Sequence, residues 1–302
     1  MRLSHFLLLA CTLAAPAQAL ELQGHRGARG LAPENTLPAF AAALSLGVHT
    51  LELDTGVTRD GVVVVHHDRT LNPDIARLDG QWLAARGPAI NALDFAALQK
   101  YDVGRLKPAA DYGRPFPEQR AHDGTRIPRL ADVFDLARRA GNGTVRFNIE
   151  TKLSAQAPGE TLPPDAFVRA VVGEIRKAGV AARSSLQSFD WRTLEVARNE
   201  APEIERVYLT FSRSGEAPDP RRVKDAGGSV WSPNFQAVNA QVLKSARELG
   251  LKVVVWTVNA PADIARMLDL GVDGIISDRP DLVREEMRRR GLPLPAATPV
   301  TP

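Results

Sequence analysis

The sequence contains a single cysteine, Cys11, which lies near the start of a chain of 302 residues. The chain therefore has no internal disulfide and must fold on its hydrophobic core alone. Beyond residue 20 it also lacks any apolar run approaching the roughly 18 residues that span a bilayer. Positive charge is not in large excess, since 38 Lys and Arg stand against 35 Asp and Glu, and no basic run is interleaved with aromatics. These absences exclude a nucleic-acid-binding protein and stable insertion in a membrane after the N-terminal segment.

The N-terminal segment predicts a secretory signal peptide over residues 1–19. An early arginine precedes an apolar stretch at 6–15, and Ala-Gln-Ala at 17–19 has the small-residue pattern of a cleavage site. Cleavage there would leave an exported protein, periplasmic or secreted, without cysteine. A lipoprotein signal at Cys11 is the weaker alternative, because the apolar run before it is short and continues past it.

Short apolar runs alternate with helical patterns along most of the remaining chain. The helix at 36–47 is the clearest, with apolar residues at the spacing of one helical face, a cap at its start and Gly47 at its end. Repeated strand–helix units over about 270 residues predict an α/β fold, a closed (β/α)₈ barrel rather than an open sheet. The predicted strands lie at 20–27, 50–55, 62–67, 145–152, 185–189, 206–211, 229–233, 252–258 and 274–277.

Two segments interrupt this alternation. Residues 72–129 are rich in Gly, Pro and charge, and they predict a loop-like insertion between the second and third barrel strands. A separate domain is less favoured, because fewer than about 60 residues make a poor core. Residues 292–302 are rich in proline and predict a disordered tail after a barrel that covers 20–291.

Acidic side chains share one face of two predicted strands. In LELD, Glu52 and Asp54 point the same way, and in FNIETK so do Glu150 and Lys152. An amphipathic strand with a wet outer face would explain one such pair. Barrel strands, however, turn their outer faces to helices, so the acids would face the barrel axis. Neighbouring carboxylates need a compensating cation, and an all-oxygen site without cysteine favours Ca²⁺ or Mg²⁺ over Zn²⁺.

Histidines and basic residues follow the same strand ends. His25 lies at the end of the first predicted strand. His66 and His67 close the strand at 62–67, and the pattern leaves open which of the two faces inward. Near-neutral pKa values suit two imidazoles for paired acid–base work, although a lone strand-end histidine is usually a plain loop residue. Arg26 would grip an anion through its planar fork. With a divalent cation, this set suits cleavage of a phosphate ester.

The glycines around His25 raise one further possibility. They are spaced GxxGxxG rather than GxGxxG, which argues against a dinucleotide site.

Five motifs together resemble a known family. GHRGARGLAPENTLPAF, LELDTGVTRDGVVVVHHDRTL, FNIETK, WTVN and GVDGIISDRPD are similar, in order and over nearly the whole mature chain, to the bacterial glycerophosphodiester phosphodiesterases. The resemblance implies a (β/α)₈ barrel. It also implies metal-dependent hydrolysis of glycerophosphodiesters to glycerol 3-phosphate and an alcohol.

The resemblance also implies a role for each matching residue. His25 and His67 would form the acid–base pair, which selects His67 over His66, with His25 favoured as base and His67 as acid. The remaining roles are metal binding by Glu52, Asp54 and Glu150, substrate binding by Arg26, Lys152 and Trp256, and support of the first loop by Glu34 and Asn35.

Two other functions compete with this one. A barrel lipase of the phospholipase D type would need an apolar rim, which the polar insertion does not suggest. A non-catalytic phosphodiester-binding protein would be expected to have lost a histidine or a carboxylate of the site. The two histidines and the three carboxylates are all present in this sequence.

Overall fold

The computed structural model describes residues 20–212 and 219–302. The predicted signal peptide, residues 1–19, lies outside the described residues. No helix within the described ranges is long and apolar enough to cross a membrane.

Eight parallel strands close into a barrel, as the sequence predicts. The first strand pairs with both the second and the last, and this pairing closes the ring. The barrel strands are β1 (Glu21–Gly24), β2 (Thr50–Val57), β7 (Arg146–Thr151), β8 (Ser184–Ser188), β9 (Glu205–Thr210), β10 (Val230–Pro233), β11 (Lys252–Val255) and β12 (Gly274–Ser277). The predicted strand at 62–67 appears as β3 (Val63–Val65), which pairs antiparallel with the end of β2 and stands outside the ring.

Helices connect the barrel strands along its outside. Thr36 caps α1 by accepting from the Ala39 amide, and Gly47 ends it with a φ of 85° that favours glycine. The helices are α1 (Leu37–Leu46), α2 (Phe95–Leu98), α3 (Leu130–Arg139), α4 (Pro164–Lys177), α5 (Trp191–Glu200), α6 (Arg221–Asp225), α7 (Ala240–Glu248), α8 (Pro261–Leu270) and α9 (Pro280–Arg289).

The main core lies between the strands and these helices. Leu51, Leu53, Phe147 and Ile149 are fully buried in it, and Phe147 meets Phe134 of α3 edge-on with ring centroids 4.8 Å apart. Since side chains alternate along a strand, the polar residues between these apolar ones must face the barrel axis. This alternation places the acids of β2 and β7 inside the barrel.

The insertion is more ordered than the loop-like segment that the sequence predicts. Three short antiparallel strands, β4 (Arg77–Leu78), β5 (Gln81–Trp82) and β6 (Tyr101–Asp102), form a small sheet within it. A separate apolar cluster, with Val64 of β3 as a member, supports this sheet. The apolar residues of this cluster are too widely spaced along the chain to show the periodicity of a strand or a helix, so the sequence pattern predicts a loop.

The tail after residue 291 departs from the prediction of disorder. Leu292, Leu294 and Val300 pack against the main core, and the Thr298 amide donates to the Leu44 carbonyl over 2.8 Å. Prolines lower the entropy that such a segment loses on ordering, so a few apolar contacts suffice to hold it.

Candidate active site

Three carboxylates meet at the carboxyl ends of β2 and β7. The parallel register of the two strands sets Asp54 beside Glu150, and Glu52 lies two residues earlier on the same face of β2. One oxygen from each carboxylate lies within 4.8 Å of the others, and all three side chains are buried. Two oxygens about 2.3–2.6 Å from a shared ion can be up to about 5 Å apart, so the spacing is compatible with one shared divalent cation.

The three carboxyl groups of this cluster differ in how strongly neighbouring positive charges offset their burial. Burial and the charge of Asp54 raise the pKa of Glu52 well above its usual range. Burial also raises the pKa of Glu150 to about 7, although Lys152 opposes the shift. Burial acts on Asp54 in the same direction, but Lys152 and Arg26 outweigh it and hold the pKa of Asp54 well below the ordinary value. A bound divalent cation would supply the missing positive charge.

His25 stands in the loop after β1 and is oriented by a carboxylate. Its Nδ1 lies 2.6 Å from Oδ1 of Asp278, and its Nε2 lies 3.9 Å from Oε2 of Glu52. Burial lowers the pKa of His25 to about 4, with Asp278 opposing the shift and Arg29 adding to it. At neutral pH the imidazole is therefore uncharged. With Nδ1–H donated to Asp278, the Nε2 lone pair is free to accept a proton in the cavity.

Asp278 is itself held firmly at the end of β12. Arg29 donates to both of its carboxylate oxygens over 2.9 and 3.1 Å, and Nδ2 of Asn259 donates over 2.7 Å. These partners fix the carboxylate that orients His25.

His67 forms a second, more accessible histidine–carboxylate pair. Its Nδ1 lies 2.8 Å from Oδ1 of Asp68, whose other oxygen accepts from Nδ2 of Asn72 over 2.8 Å. Burial and the charge of Arg26 lower the pKa of His67. His66 is buried, donates its backbone N–H to the Asp54 carbonyl and does not line the cavity. The structure thus brings His67, and not His66, to the cavity that Glu52 and Glu150 of the acidic cluster line.

Two cationic side chains, those of Arg26 and Lys152, lie beside the acidic cluster. Nη1 of Arg26 donates to Glu34 over 2.7 Å, and its Nε lies 3.2 Å from Oδ2 of Asp54. Nζ of Lys152 lies 2.8 Å from Glu150 and 3.6 Å from Asp54. The predicted supporting residue Asn35 donates from Nδ2 to Asp54 over 2.8 Å, so it positions a carboxylate of the cluster.

A cavity of about 240 Å³ joins these groups to an apolar wall. Trp256 stands in that wall, with its Nε1 donating to the Ser232 carbonyl over 2.9 Å. The polar lining is His25, Arg26, Arg29, Glu52, His67, Glu150, Lys152, Gln187 and Thr257, and the apolar lining is Phe189, Leu209, Trp256 and Ile276.

Several contributors to this site are absent from the sequence-based assignment, including Arg29 and Gln187 of the cavity lining. Asp278 follows β12 directly, so the strand-end rule that selects Glu52 and Glu150 could have found it. Asp68 sits beside His67 and could have been found as its partner. Tyr112 comes from the insertion, where no strand end marks it, and it donates to Oε2 of Glu34 over 2.6 Å.

We expect Tyr112→Phe to weaken substrate binding more than turnover. The hydroxyl also accepts from Nη1 of Arg26 over 3.3 Å, so its loss loosens a guanidinium that lines the cavity. Losing a hydrogen bond to a charged group costs about 1.5–3 kcal/mol, which corresponds to a KM roughly tenfold or more higher. Steady-state kinetics should show this rise with kcat changed by less than about threefold. An equal fall in kcat, or no change at all, would contradict a positioning role.

Glu34 should make folding stability depend on acid pH. Burial acts to raise its pKa, but Arg26 and Arg29 outweigh that effect and lower the pKa from 4.5 to about 2. Between these two pKa values the Glu34 carboxyl is protonated more readily in the unfolded chain than in the folded one. The free energy of unfolding therefore falls as the pH falls through this window, by about 3 kcal/mol once the pH lies below both values. Urea unfolding at about pH 5 and about pH 3 should show a smaller pH effect in Glu34→Gln than in the wild type. The same pH effect in both proteins would show that Glu34 makes no such contribution.

Fold and site together define a barrel enzyme equipped for phosphodiester chemistry. The model of the glycerophosphoryl diester phosphodiesterase family matches residues 25–282, so the chain belongs to that family.

Known relatives agree with this assignment. The chain is 30% identical over 270 residues to a glycerophosphodiester phosphodiesterase of Bacillus altitudinis, covering 87% of this chain and 98% of that protein. It is 28% identical over 267 residues to the glycerophosphodiester phosphodiesterase of Caldanaerobacter subterraneus subsp. tengcongensis, covering 88% and 97%. A crystal structure that carries the same family name, from Silicibacter pomeroyi DSS-3, superposes with a TM-score of 0.85 at 35% identity, covering 93% of this chain and 96% of that one.

Proposed function

We propose that this enzyme hydrolyses glycerophosphodiesters to glycerol 3-phosphate and an alcohol with one divalent cation, Ca²⁺ or Mg²⁺, and His25 and His67 as acid–base pair. The observation that carries the proposal is a cavity lined by two carboxylate-oriented imidazoles, by three cationic side chains and by Glu52 and Glu150 of the acidic cluster. A phosphodiesterase of Oleispira antarctica with the same fold, at 22% identity and a TM-score of 0.70, is described in complex with the product sn-glycerol-3-phosphate. That complex supports a small glycerophosphodiester as substrate.

Glu52, Asp54 and Glu150 would hold the cation. When bound, it would act as a Lewis acid on the phosphate oxygens. Arg26 and Lys152 face the same space, and their charges would bind the anionic diester and offset the charge that develops on its oxygens. The Arg26 guanidinium is held in place by Glu34, which also accepts a hydrogen bond from Tyr112. Asn35 holds Asp54 of the acidic cluster in place.

The two histidines divide the proton transfers. Nε2 of His25 would take the proton of the glycerol hydroxyl beside the phosphate, and Asp278 would stabilise the resulting imidazolium. That hydroxyl oxygen would bond to phosphorus while the bond to the departing alcohol breaks, and His67 would protonate the alcohol oxygen. The product of this step is a cyclic phosphate. Water would then open the ring, with each histidine reversing its role.

The direct experiment measures release of glycerol 3-phosphate from glycerophosphocholine in a coupled assay with added Ca²⁺ or Mg²⁺. We expect steady multiple turnover. Binding of the diester without any release would instead favour the non-catalytic binding protein.

We further propose that the enzyme acts in the periplasm or outside the cell. The support is the signal-peptide pattern of residues 1–19. N-terminal sequencing of the protein from its native host should begin at Leu20, and a mature chain that keeps Met1 would overturn the proposal.

A further inference from the structure

The inside of the barrel is apolar on one side and polar on the other. Strands β9 to β12 turn a small cluster of branched apolar residues inward, made of Val207, Val230, Val254 and Ile276. Strands β1, β7 and β8 instead bury amide and hydroxyl side chains, namely those of Gln23, Asn148, Ser185 and Gln187. Branched apolar residues commonly fill such a barrel, and a buried polar group costs free energy unless it is hydrogen-bonded. The polar side therefore needs a complete set of hydrogen-bond partners.

Asn148 of β7 stands at the centre of this polar side. Its Oδ1 accepts from Oγ of Ser185 over 2.9 Å, so its Nδ2 points the other way. That Nδ2 donates to Oε1 of Gln187 over 2.9 Å and to Oε1 of Gln23 over 3.0 Å. With their oxygens occupied in this way, both glutamines turn their Nε2 groups away from Asn148.

The two glutamine amides reach carboxylates at opposite ends of the barrel. At the amino-terminal end, Nε2 of Gln23 donates to Oε1 of Glu21, the first residue of β1, over 3.1 Å. At the carboxyl-terminal end, Nε2 of Gln187 donates to Oε1 of Glu52 over 2.6 Å, and Gln187 also lines the catalytic cavity. Gln187 thus joins the acidic cluster to the buried polar network, whereas Gln23 donates to a carboxylate outside the cluster.

The hydrogen-bond donors of Glu52 differ from those of the other two carboxylates. Its Oε1 accepts from Gln187, and its Oε2 accepts from the backbone N–H of Arg26 over 2.8 Å, so both donors are uncharged amides. Asp54 and Glu150, by contrast, each lie within 3.2 Å of a cationic side chain. Donors on both oxygens fix the plane of the Glu52 carboxylate without neutralising it. Its charge and its remaining lone pairs stay available to a cation.

We infer that Gln187 is a positioning residue, whose amide is oriented by Asn148 and holds Glu52 in the orientation in which this carboxylate binds the divalent cation. On the proposed function, on which this inference rests, Glu52 is one of three metal ligands. The register of the strands explains how Gln187 reaches it, since Gln187 pairs with Glu150 and shares its inward direction. Groups that hydrogen-bond a metal-binding carboxylate fix its direction, and their loss commonly lowers metal affinity by about 10–100-fold.

Calorimetric titration of metal-free Gln187→Met with Ca²⁺ or Mg²⁺ tests this positioning role. Methionine is close to glutamine in length but donates no hydrogen bond, so the Kd for the metal should rise by about tenfold or more. At saturating metal, kcat on glycerophosphocholine should return to within about threefold of the wild-type value, because Gln187 acts only through Glu52. A Kd close to that of the wild type, or a kcat that stays low at saturating metal, would overturn the inference.

Gln23→Met is the matched control. Gln23 is buried like Gln187 and accepts from the same Asn148 amide, but it donates to Glu21 rather than to the acidic cluster. Its replacement should lower the urea midpoint much as Gln187→Met does, yet leave the Kd for the metal within about twofold of the wild-type value. An equal rise of the Kd in both variants would show a general effect of barrel packing and would contradict the inference.

Gln187→Asn takes the place of Gln187→Met if the methionine variant does not fold. Asparagine keeps the amide but is one methylene shorter, so its N–H group falls short of Glu52, and the same rise of the Kd is expected. Absence of metal binding in the wild type would refute the metal site of the proposed function. Wild-type metal affinity in the Gln187 variant would refute only the positioning role.

Discussion

Chelation with EDTA should abolish hydrolysis of glycerophosphocholine, and Ca²⁺ or Mg²⁺ added in excess should restore it. Three buried carboxylates meet at this site, and one oxygen from each of Glu52, Asp54 and Glu150 lies within 4.8 Å of the others. They would repel an anionic diester unless a cation intervenes. Lewis-acid stabilisation contributes several kcal/mol to the transition state, so we expect a loss of about a thousandfold in kcat/KM. The coupled glycerol 3-phosphate assay on dialysed, chelated protein measures it.

A ligand variant links this loss to the acidic cluster. Glu150→Gln should raise the metal concentration needed for half-maximal activity by about 10–100-fold, because one of three anionic ligands becomes neutral. Glu160→Gln is the matched control, since Glu160 pairs with Arg69 and Arg86 and lies outside the catalytic cavity. Full activity in the presence of EDTA, or an equal metal requirement in the wild type and Glu150→Gln, would contradict metal binding at this cluster.

Replacement of either active-site histidine should remove nearly all turnover while the fold survives. His25→Ala removes the proposed base and His67→Ala the proposed acid, and each should lower kcat by roughly 10²–10⁴-fold. Both side chains line the cavity rather than the core, so circular dichroism and the urea midpoint should stay close to those of the wild type. The measurement is kcat at saturating metal and substrate.

His122→Ala provides the control for this comparison. His122 is an exposed residue of the insertion and lines no part of the cavity, so the variant should behave like the wild type. Activity close to that of the wild type in His25→Ala or His67→Ala would remove that histidine from the mechanism.

Much of the candidate site could be predicted because a parallel barrel gathers strand ends at one rim. Period-two alternation turns Glu52 and Asp54 inward, and the register of β2 with β7 brings Glu150 beside them. These are local properties of short strands, so they can be read from a few residues at a time. The choice of His67 over His66 depends instead on a turn after β3, and the residue pattern alone leaves it open.

The features that the sequence did not reveal depend on contacts between distant segments. Tyr112 reaches Glu34 from an insertion without a regular period. The composition of the tail predicts disorder, but its fit against α1 comes from three-dimensional shape. Phe189 and Phe211 each follow an ordinary strand, and only the folded barrel shows that they converge on Trp256.

Calorimetric titration of metal-free protein with Ca²⁺ or Mg²⁺ is the sharpest test of a metal site at the acidic cluster, since it reports binding without any assumption about the substrate. We expect one saturable site per chain in the wild type and its loss in the double variant Glu52→Gln/Glu150→Gln. Absence of saturable binding in the wild type, or a site that persists unchanged in the double variant, would contradict it.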